Sequence, residues 1–594
     1  MILLVVRVWR GVAAGVAAVL LSSGLAGCAL FADGPREITE QFLAALASGD
    51  TAAAAALTDA PESAKATLDQ ARTALEPERV DHTIEHVGQS SPAAARYRLD
   101  WRLPHGRVWS YTADAELYTV DETWKVRWLP SAVHPGLAAR QQLALRVETP
   151  RQAPVLDRDG QALLEPETVV AVVLDPAHAA TTAGPLAAAL NPLDASITEQ
   201  SIVEGAKAAG RAYPVATLRQ GDYLKVKPVI YELPGLRFGE QRRLLPVDSS
   251  LAEQLLPAIR STVEEQVAGG AGWRVITTDP GGGEVAELHA REAKPADAVT
   301  TTISRRVQEA GERALEPVPG AAMIVALQPS TGELLAVAQN APADQQGPIA
   351  LTGRYPPGST FKIVTAAAGL AAGKVTADTP VDCPATTVVD GRLIPNNDRF
   401  ALGTVPLSQA FAQSCNTTFA RLSTELPAMA LTDSARDLGI GADFVIPGLT
   451  TITGSVPPAG SIVQQAENGF GQGTVLASPF GMAVVASTVA AGRIPVPSLL
   501  RGAVTEAKNL GAPVRPEVLD ALRGMMREVV TGTALRDLPG VRGKTGTAQY
   551  GDGSNAHGWF VGYSGDLAFA VLLTGAGSSA LAVEAAHRFL TALG

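Results

Sequence analysis

Cysteine is almost missing from this 594-residue chain, with three in all at positions 28, 383 and 415. Only two remain beyond residue 28, so no disulfide framework can carry the fold, and apolar cores must do it. There is no Cys-x-x-Cys pair and no cluster of histidine with cysteine, so neither a metal site nor a cofactor is expected. An excess of positive charge is also missing. A formal net charge of -11, a pI near 5.4 and no concentrated Lys/Arg stripe exclude a phosphate backbone as the main partner, so nucleic acid is not expected. Internal repeats and long polar or Gln/Asn-rich tracts are absent, and with 46% hydrophobic and 18% charged residues most of the chain should fold. Its length calls for about three domains rather than one core.

The N-terminus carries Arg7 and Arg10, an apolar run over residues 11–21, and then Leu25-Ala26-Gly27-Cys28. This is a signal-peptide pattern over residues 1–28. Its end resembles a bacterial lipobox, which makes Cys28 the expected lipidation site. The alternative is an uncleaved membrane anchor, since the apolar part approaches the length of a short spanning helix. Both readings place the rest of the chain on the extracytoplasmic face of the cell membrane, lipid-anchored in the first.

Over residues 34–148 one amphipathic helix, with Ile38, Phe42, Leu43 and Leu46 at helical spacing and Gly49-Asp50 closing it, precedes alternating strands. Trp124, Val126 and Trp128 should share one face, with Lys125 and Arg127 on the other. Residues 149–311 read as mixed α/β, with Asp157-Arg158-Asp159-Gly160 as a turn and a helix over 301–315. The last domain, 312–594, opens with two apolar strands, 322–327 and 334–338, joined by Pro329-Ser330-Thr331-Gly332.

Chemistry concentrates in that last domain. In Tyr355-Pro356-Pro357-Gly358-Ser359-Thr360-Phe361-Lys362 the prolines and glycine stop the preceding element, and an Ala-rich run then favours helix. Ser359 therefore stands at a helix N-terminus, with Lys362 three residues on and on the same face. A serine hydroxyl needs a base to become a nucleophile, and a lysine serves only where burial or a second cation lowers its pKa. Standing alone, the pair would be an ordinary N-cap serine and a solvated lysine. It is followed by Ser414-Cys415-Asn416, at the end of a helix-like run with Leu407, Ala410 and Phe411, and by Lys544-Thr545-Gly546-Thr547. The latter and His557-Gly558-Trp559-Phe560 flank turn residues 551–555 and read as adjacent antiparallel strands. A strand edge there can pair with an extended peptide, Gly546 allows a close backbone approach, and Lys544 supplies positive charge for an anionic terminus. Spacing alone does not say whether Cys383 and Cys415 are bridged; Cys415 is expected to be a packed thiol rather than a nucleophile.

Ser-x-x-Lys, Ser-x-Asn and Lys-Thr-Gly, in this order and at these spacings, resemble the three motifs of penicillin-binding proteins and serine β-lactamases. Gly469-Phe470-Gly471-Gln472-Gly473 and the stretch 525–533 resemble class B penicillin-binding proteins in particular. Residues 34–148, ending in Trp128-Leu129-Pro130-Ser131 and His134-Pro135, are similar to the NTF2-like domain of one subgroup, and 149–311 to the class B linker or dimerisation domain. The resemblance implies a multidomain α+β protein. Its C-terminal α/β transpeptidase (β-lactamase-like) domain would hold an antiparallel sheet flanked by helices.

The implied activity is peptidoglycan D,D-transpeptidation through an acyl-enzyme on Ser359. Lys362 is the implied base, Ser414 the proton relay, and the backbone N–H groups of Ser359 and Thr547 the oxyanion hole. Asn416, Lys544, Thr545, Gly546 and Thr547 are the implied substrate-binding residues. The implied partners are peptidoglycan stem peptides as D-Ala-D-Ala donor and amine acceptor, β-lactam antibiotics at the same serine, and the cell-wall synthesis machinery. A D,D-carboxypeptidase or β-lactamase needs the same first step. A catalytically silent sensor or scaffold is a different class of function, but no signalling module is visible after residue 30.

Overall fold

The computed structural model describes residues 34–148, 150, 152–551 and 553–594, so the expected lipidation site at Cys28 lies outside the described residues. The chain divides into two compact units. One comprises residues up to Glu148 together with Gly272–Glu292, the other Thr149–Ala271 with Ala293–Gly594.

The first unit starts with the helix Pro35–Ser48, which has proline in its first turn and ends on Gly49 at φ 86°. Ile38, Phe42, Leu43 and Leu46 are its buried stripe, as helical spacing predicts. An antiparallel sheet follows in sequence order: Arg79–Val87, Ala93–Leu103, Arg107–Val120 and Thr123–Val126. Ala93, Ala95, Tyr97, Leu99, Trp101 and Leu103 alternate inward along the second strand, and the Tyr97 hydroxyl donates to the Ala132 carbonyl at 2.6 Å. A second sheet places Gly272–Thr278 between Glu284–Arg291 and Gln142–Glu148. Residues 272–291, which the sequence pattern assigns to the middle region, thus complete the first unit, and Trp273 and Val275 join its core.

In the second unit, Ala162–Leu174 pairs with both Tyr213–Arg219 and Leu236–Pro246. The Asp157 turn ties this region to the last domain. Buried Asp157 accepts from the backbone of Asp159, Gln161 and Arg305, while Arg158 pairs with Glu333 at 3.0 Å. The expected helix occupies Arg305–Leu315, shorter than predicted because the backbone N–H groups of Thr301, Thr302 and Ser304 donate instead to the carbonyls of Leu156, Leu499 and Leu335.

The C-terminal five-stranded sheet has the order Leu334–Gln339, Ala322–Leu327, Leu567–Leu573, Asn555–Ser564, Arg542–Tyr550, antiparallel throughout. Its inner strands are apolar on both faces because helices cover both. Met323, Val325 and Leu327 face one core with the helix Pro479–Ala491, while Ala322, Ile324 and Ala326 face another with Arg305–Leu315 and Ala580–Leu593. Arg542–Tyr550 is the edge strand, bordering the cleft. Among the described residues no helix is long and apolar enough to cross a membrane.

Candidate active site

Ser359 lies in the 3-10 turn Gly358–Phe361, and Lys362 is the first residue of the helix Lys362–Ala371. Lys362 through Gly369 are all buried, so this is a core helix rather than an amphipathic surface one, and it holds the lysine rigidly. The turn is braced from three sides. Gly358 donates to the Gly471 carbonyl at 2.9 Å, Trp559 Nε1 donates to the Pro356 carbonyl at 3.0 Å, and Thr365 Oγ1 donates to the Gly469 carbonyl at 2.8 Å. Gly471, at φ 78°, touches the turn so closely that a Cβ there would stand 1.9 Å from the Gly358 carbonyl oxygen.

Lys362 Nζ is the hub of the site. It lies 2.9 Å from Ser359 Oγ, 2.7 Å from the Ser414 carbonyl, 3.1 Å from Ser414 Oγ and 2.7 Å from Asn416 Oδ1. Burial, and then the nearby charge of Lys544, push its pKa well below that of a free lysine. A neutral amine has two N–H donors and one lone pair. The two shortest contacts use the donors on carbonyl oxygens that can only accept, which leaves the lone pair for the hydroxyl proton of Ser359.

Ser414 follows the short helix Leu407–Ala412, whose buried Leu407, Ala410 and Phe411 are the residues the sequence pattern selects. Its φ of 62° is left-handed, a conformation that costs a non-glycine residue about 1–3 kcal/mol. That geometry turns both its carbonyl and its hydroxyl toward Lys362. On the other side Lys544 Nζ donates to Ser414 Oγ at 3.1 Å, so one hydroxyl bridges two lysines. Lys544 is fully buried, and desolvation lowers its pKa to about 7. The rings of Phe419 and Phe411 lie 5.7 Å and 5.6 Å from Lys362 and Lys544.

Cys415 is not a free thiol: it is bridged to Cys383, 32 residues away, with a Cα separation of 6.1 Å. The bridge fastens the middle of Ser414-Cys415-Asn416 to the strand Pro380–Cys383, and Thr418 Oγ1 also donates to the Cys415 sulfur at 3.0 Å. Two cysteines give no framework in sequence, but placed here they act on a single motif.

The edge strand carries the third motif. Thr545 and Thr547 border the cleft, and Thr547 Oγ1 accepts from the backbone N–H of Ser579 at 3.2 Å, leaving its own proton to donate. Gly546 faces inward: a Cβ would stand 2.8 Å from Thr360 Cγ2 and 3.0 Å from the Pro357 carbonyl. The close approach expected at Gly546 is therefore that of the protein's own turn around Ser359. Gln472 pairs with the strand further along, donating to the Gln549 carbonyl at 3.1 Å and accepting from its N–H at 3.0 Å.

Ser359, Ser414, Asn416, Thr545 and Thr547 line one cleft of about 910 Å³. The same cleft is lined by residues 392–400, Glu467, Phe470 and Gln472. Sequence reasoning missed Arg392, Arg399 and Glu467, which no motif marks. Gln472 stood in a recognisable stretch, but the role of its side chain was not legible there. Among the described residues there is no group of three or more His, Cys, Asp or Glu able to hold a metal ion.

Comparison with known proteins places this geometry in a context. The penicillin-binding protein transpeptidase domain matches residues 322–591, and the NTF2-like N-terminal transpeptidase domain matches residues 34–141. The chain is similar to peptidoglycan D,D-transpeptidase PbpA of Mycobacterium tuberculosis, 29% identical over 320 residues that span 45% of this chain and 64% of the relative. PbpA of Mycolicibacterium smegmatis is 30% identical over 318 residues with the same coverage, just under two thirds of the relative's length. Penicillin-binding protein 3 of Bacillus subtilis is 24% identical over 553 residues, 79% of this chain and 80% of that one.

Proposed function

We propose that the chain is a class B penicillin-binding protein and a peptidoglycan D,D-transpeptidase that cross-links stem peptides through an acyl-enzyme on Ser359. The observation that carries the reading is the hub at Lys362, whose one amine reaches the nucleophile and both outer residues of the second motif, while Ser414 Oγ connects it to Lys544.

Lys362 takes the Ser359 proton as the oxygen attacks the carbonyl of the penultimate D-alanine. The developing oxyanion is received by the backbone N–H groups of Ser359 and Thr547. Because Gln549 turns its backbone N–H and C=O to the Gln472 side chain, and a strand repeats every two residues, Thr547 and Thr545 also turn theirs outward. The terminal carboxylate then falls to the Thr547 and Thr545 hydroxyls, beside the charge of Lys544, and Asn416 holds the substrate amide. The proton returns to the departing D-alanine through Ser414, which contacts both lysines. The amine of a second stem then attacks the ester, repeating the sequence in reverse. β-Lactams acylate the same serine.

The lipid anchor at Cys28, attachment at the extracytoplasmic face and work within a cell-wall synthesis machinery belong to the same proposal, and the Leu-Ala-Gly-Cys sequence after an apolar run supports the first of them. Incubation with lipid-linked peptidoglycan strands and muropeptide analysis tests the reaction. Cross-linked dimers are expected, whereas trimmed monomers alone would make the protein a carboxypeptidase, and unaltered strands a scaffold. Peptide mapping of the penicilloyl adduct should find Ser359, and attachment elsewhere would reject the mechanism. Labelled fatty acid should enter the wild type and not Cys28→Ser.

A further inference from the structure

Resting on the transpeptidase reading above, we propose that Glu467 forms a subsite for the side-chain ammonium of the residue that precedes the two terminal D-alanines in the donor stem peptide.

The direction of the bound peptide follows from the site. Its carboxylate belongs at Thr545 and its scissile carbonyl at Thr547. A peptide pairing antiparallel to Arg542–Tyr550 therefore runs its N-terminal side toward Gln549. Pairing stops there, because the Gln472 amide already occupies the N–H and C=O of Gln549. The residue before the terminal pair leaves the strand edge at this point and meets the surroundings of Gln472.

Those surroundings include Glu467. The Glu467 carbonyl accepts from the backbone N–H groups of Gln472 at 3.1 Å and Phe470 at 3.3 Å, so one tight turn carries both the group that ends the pairing and a carboxylate. Glu467 lines the same cleft as Ser359, and its side chain is 26% exposed. Its Oε1 accepts from Arg392 Nε at 3.0 Å, and Arg392 is 61% exposed. A carboxylate can accept at both oxygens, so an ammonium can share it with the guanidinium. The reaction supplies that ammonium: if any stem can serve as donor in one event and acceptor in another, every donor carries an amine as well as a D-Ala-D-Ala end.

The test uses the full chain and two peptides ending in Lys-D-Ala-D-Ala, one with its side-chain amine free and one with it acetylated. Each is scored by how well it protects Ser359 from fluorescent penicillin. The free-amine peptide is expected to protect at about twofold to fivefold lower concentration, the range of a partly exposed charge pair. In Glu467→Gln that ratio should fall to about one, with penicillin labelling showing that the variant is folded. Equal protection by both peptides in the wild type, no protection by either, or a preference that survives in Glu467→Gln would overturn the subsite and leave the transpeptidase reading standing. Failure of penicillin to label wild-type Ser359 would instead overturn the transpeptidase reading, and the subsite with it.

Discussion

Replacing Lys544 by methionine should change how acylation depends on pH, not only how fast it is. Lys362 and Lys544 each place Nζ 3.1 Å from the same Ser414 hydroxyl oxygen, hence within roughly 6 Å of each other. Two unit charges at that distance, at an effective dielectric of about 20, repel by about 3 kcal/mol, enough to change the neutral fraction of Lys362 about a hundredfold at fixed pH. Both side chains are fully buried, so solvent does little to screen them. The sign is set by Lys544, whose pKa lies at about 7. Below that value it is charged and helps to keep Lys362 neutral and able to act as base; above it the charge is lost and so is the help. The ratio of wild-type to Lys544→Met acylation rate should therefore be greatest near pH 6 and shrink as pH rises past 7. Recognition of the penicillin carboxylate fades with the same charge, so the coupling is read at saturating penicillin, where binding no longer enters the rate. Methionine suits the site, since it fills the space over the Phe411 ring without charge. First-order acylation rates at saturating fluorescent penicillin from pH 5.5 to 9.5 measure the ratio. A ratio that is flat across pH, or that grows with it, would refute the electrostatic coupling and leave Lys544 as a carboxylate anchor only.

Lys362→Arg should lower acylation by about 10²- to 10⁴-fold despite keeping a cation, because a guanidinium holds its proton at neutral pH, and stopped-flow labelling measures it. Burial keeps Lys362 and Lys544 below the ordinary lysine pKa, so the unfolded chain binds more protons than the folded one until pH passes the unfolded value. Wild-type stability should accordingly rise relative to Lys544→Met between about pH 7 and 10 in denaturant titrations. The Cys383→Ser/Cys415→Ser double variant should lose about 2–4 kcal/mol for a loop of 32 residues and label more slowly as Ser414 relaxes from its left-handed backbone; unchanged labelling would show that the turn holds itself. Gly471→Ala should nearly abolish labelling, because the new methyl and the Gly358 carbonyl cannot occupy the same space, and a penicillin-labelled gel reads the loss.

The sequence revealed elements wherever one physical requirement dominated. The stripe Ile38, Phe42, Leu43, Leu46 and the run Leu407, Ala410, Phe411 are legible because a helix needs one buried face, and the strands at 322–327 and 334–339 because a sheet covered on both sides needs apolar residues throughout. The three motifs are legible because their residue types and spacings are tied to one reaction. Glu467 and Arg392, 75 residues apart, are not, since nothing local requires either and only the tertiary fold brings them to one cleft wall. The bridge is illegible for a similar reason: Cys383 and Cys415 advertise a possibility, but only the path of the chain between them sets the Cα separation at 6.1 Å. Gly546 shows a third limit, where the sequence announces a close approach without saying which group approaches.

The strands Gly272–Thr278 and Glu284–Arg291 constrain the order in which the protein can be made. The chain is made from its N-terminus at about 5–20 residues per second, and under the export proposed above it reaches its folding compartment in the same order. Gln142–Glu148 then arrives with its hydrogen-bonding partner, Gly272–Thr278, still more than a hundred residues behind it. The core that takes in Trp273 and Val275 stays open for the whole interval, during which Ala162–Leu174 and its neighbours must find their own pairings. An expression fragment that stops at residue 148 would reproduce that waiting state permanently. One that joins 34–148 to 272–292 through a short linker would close it, and the solubility of the two fragments should differ accordingly.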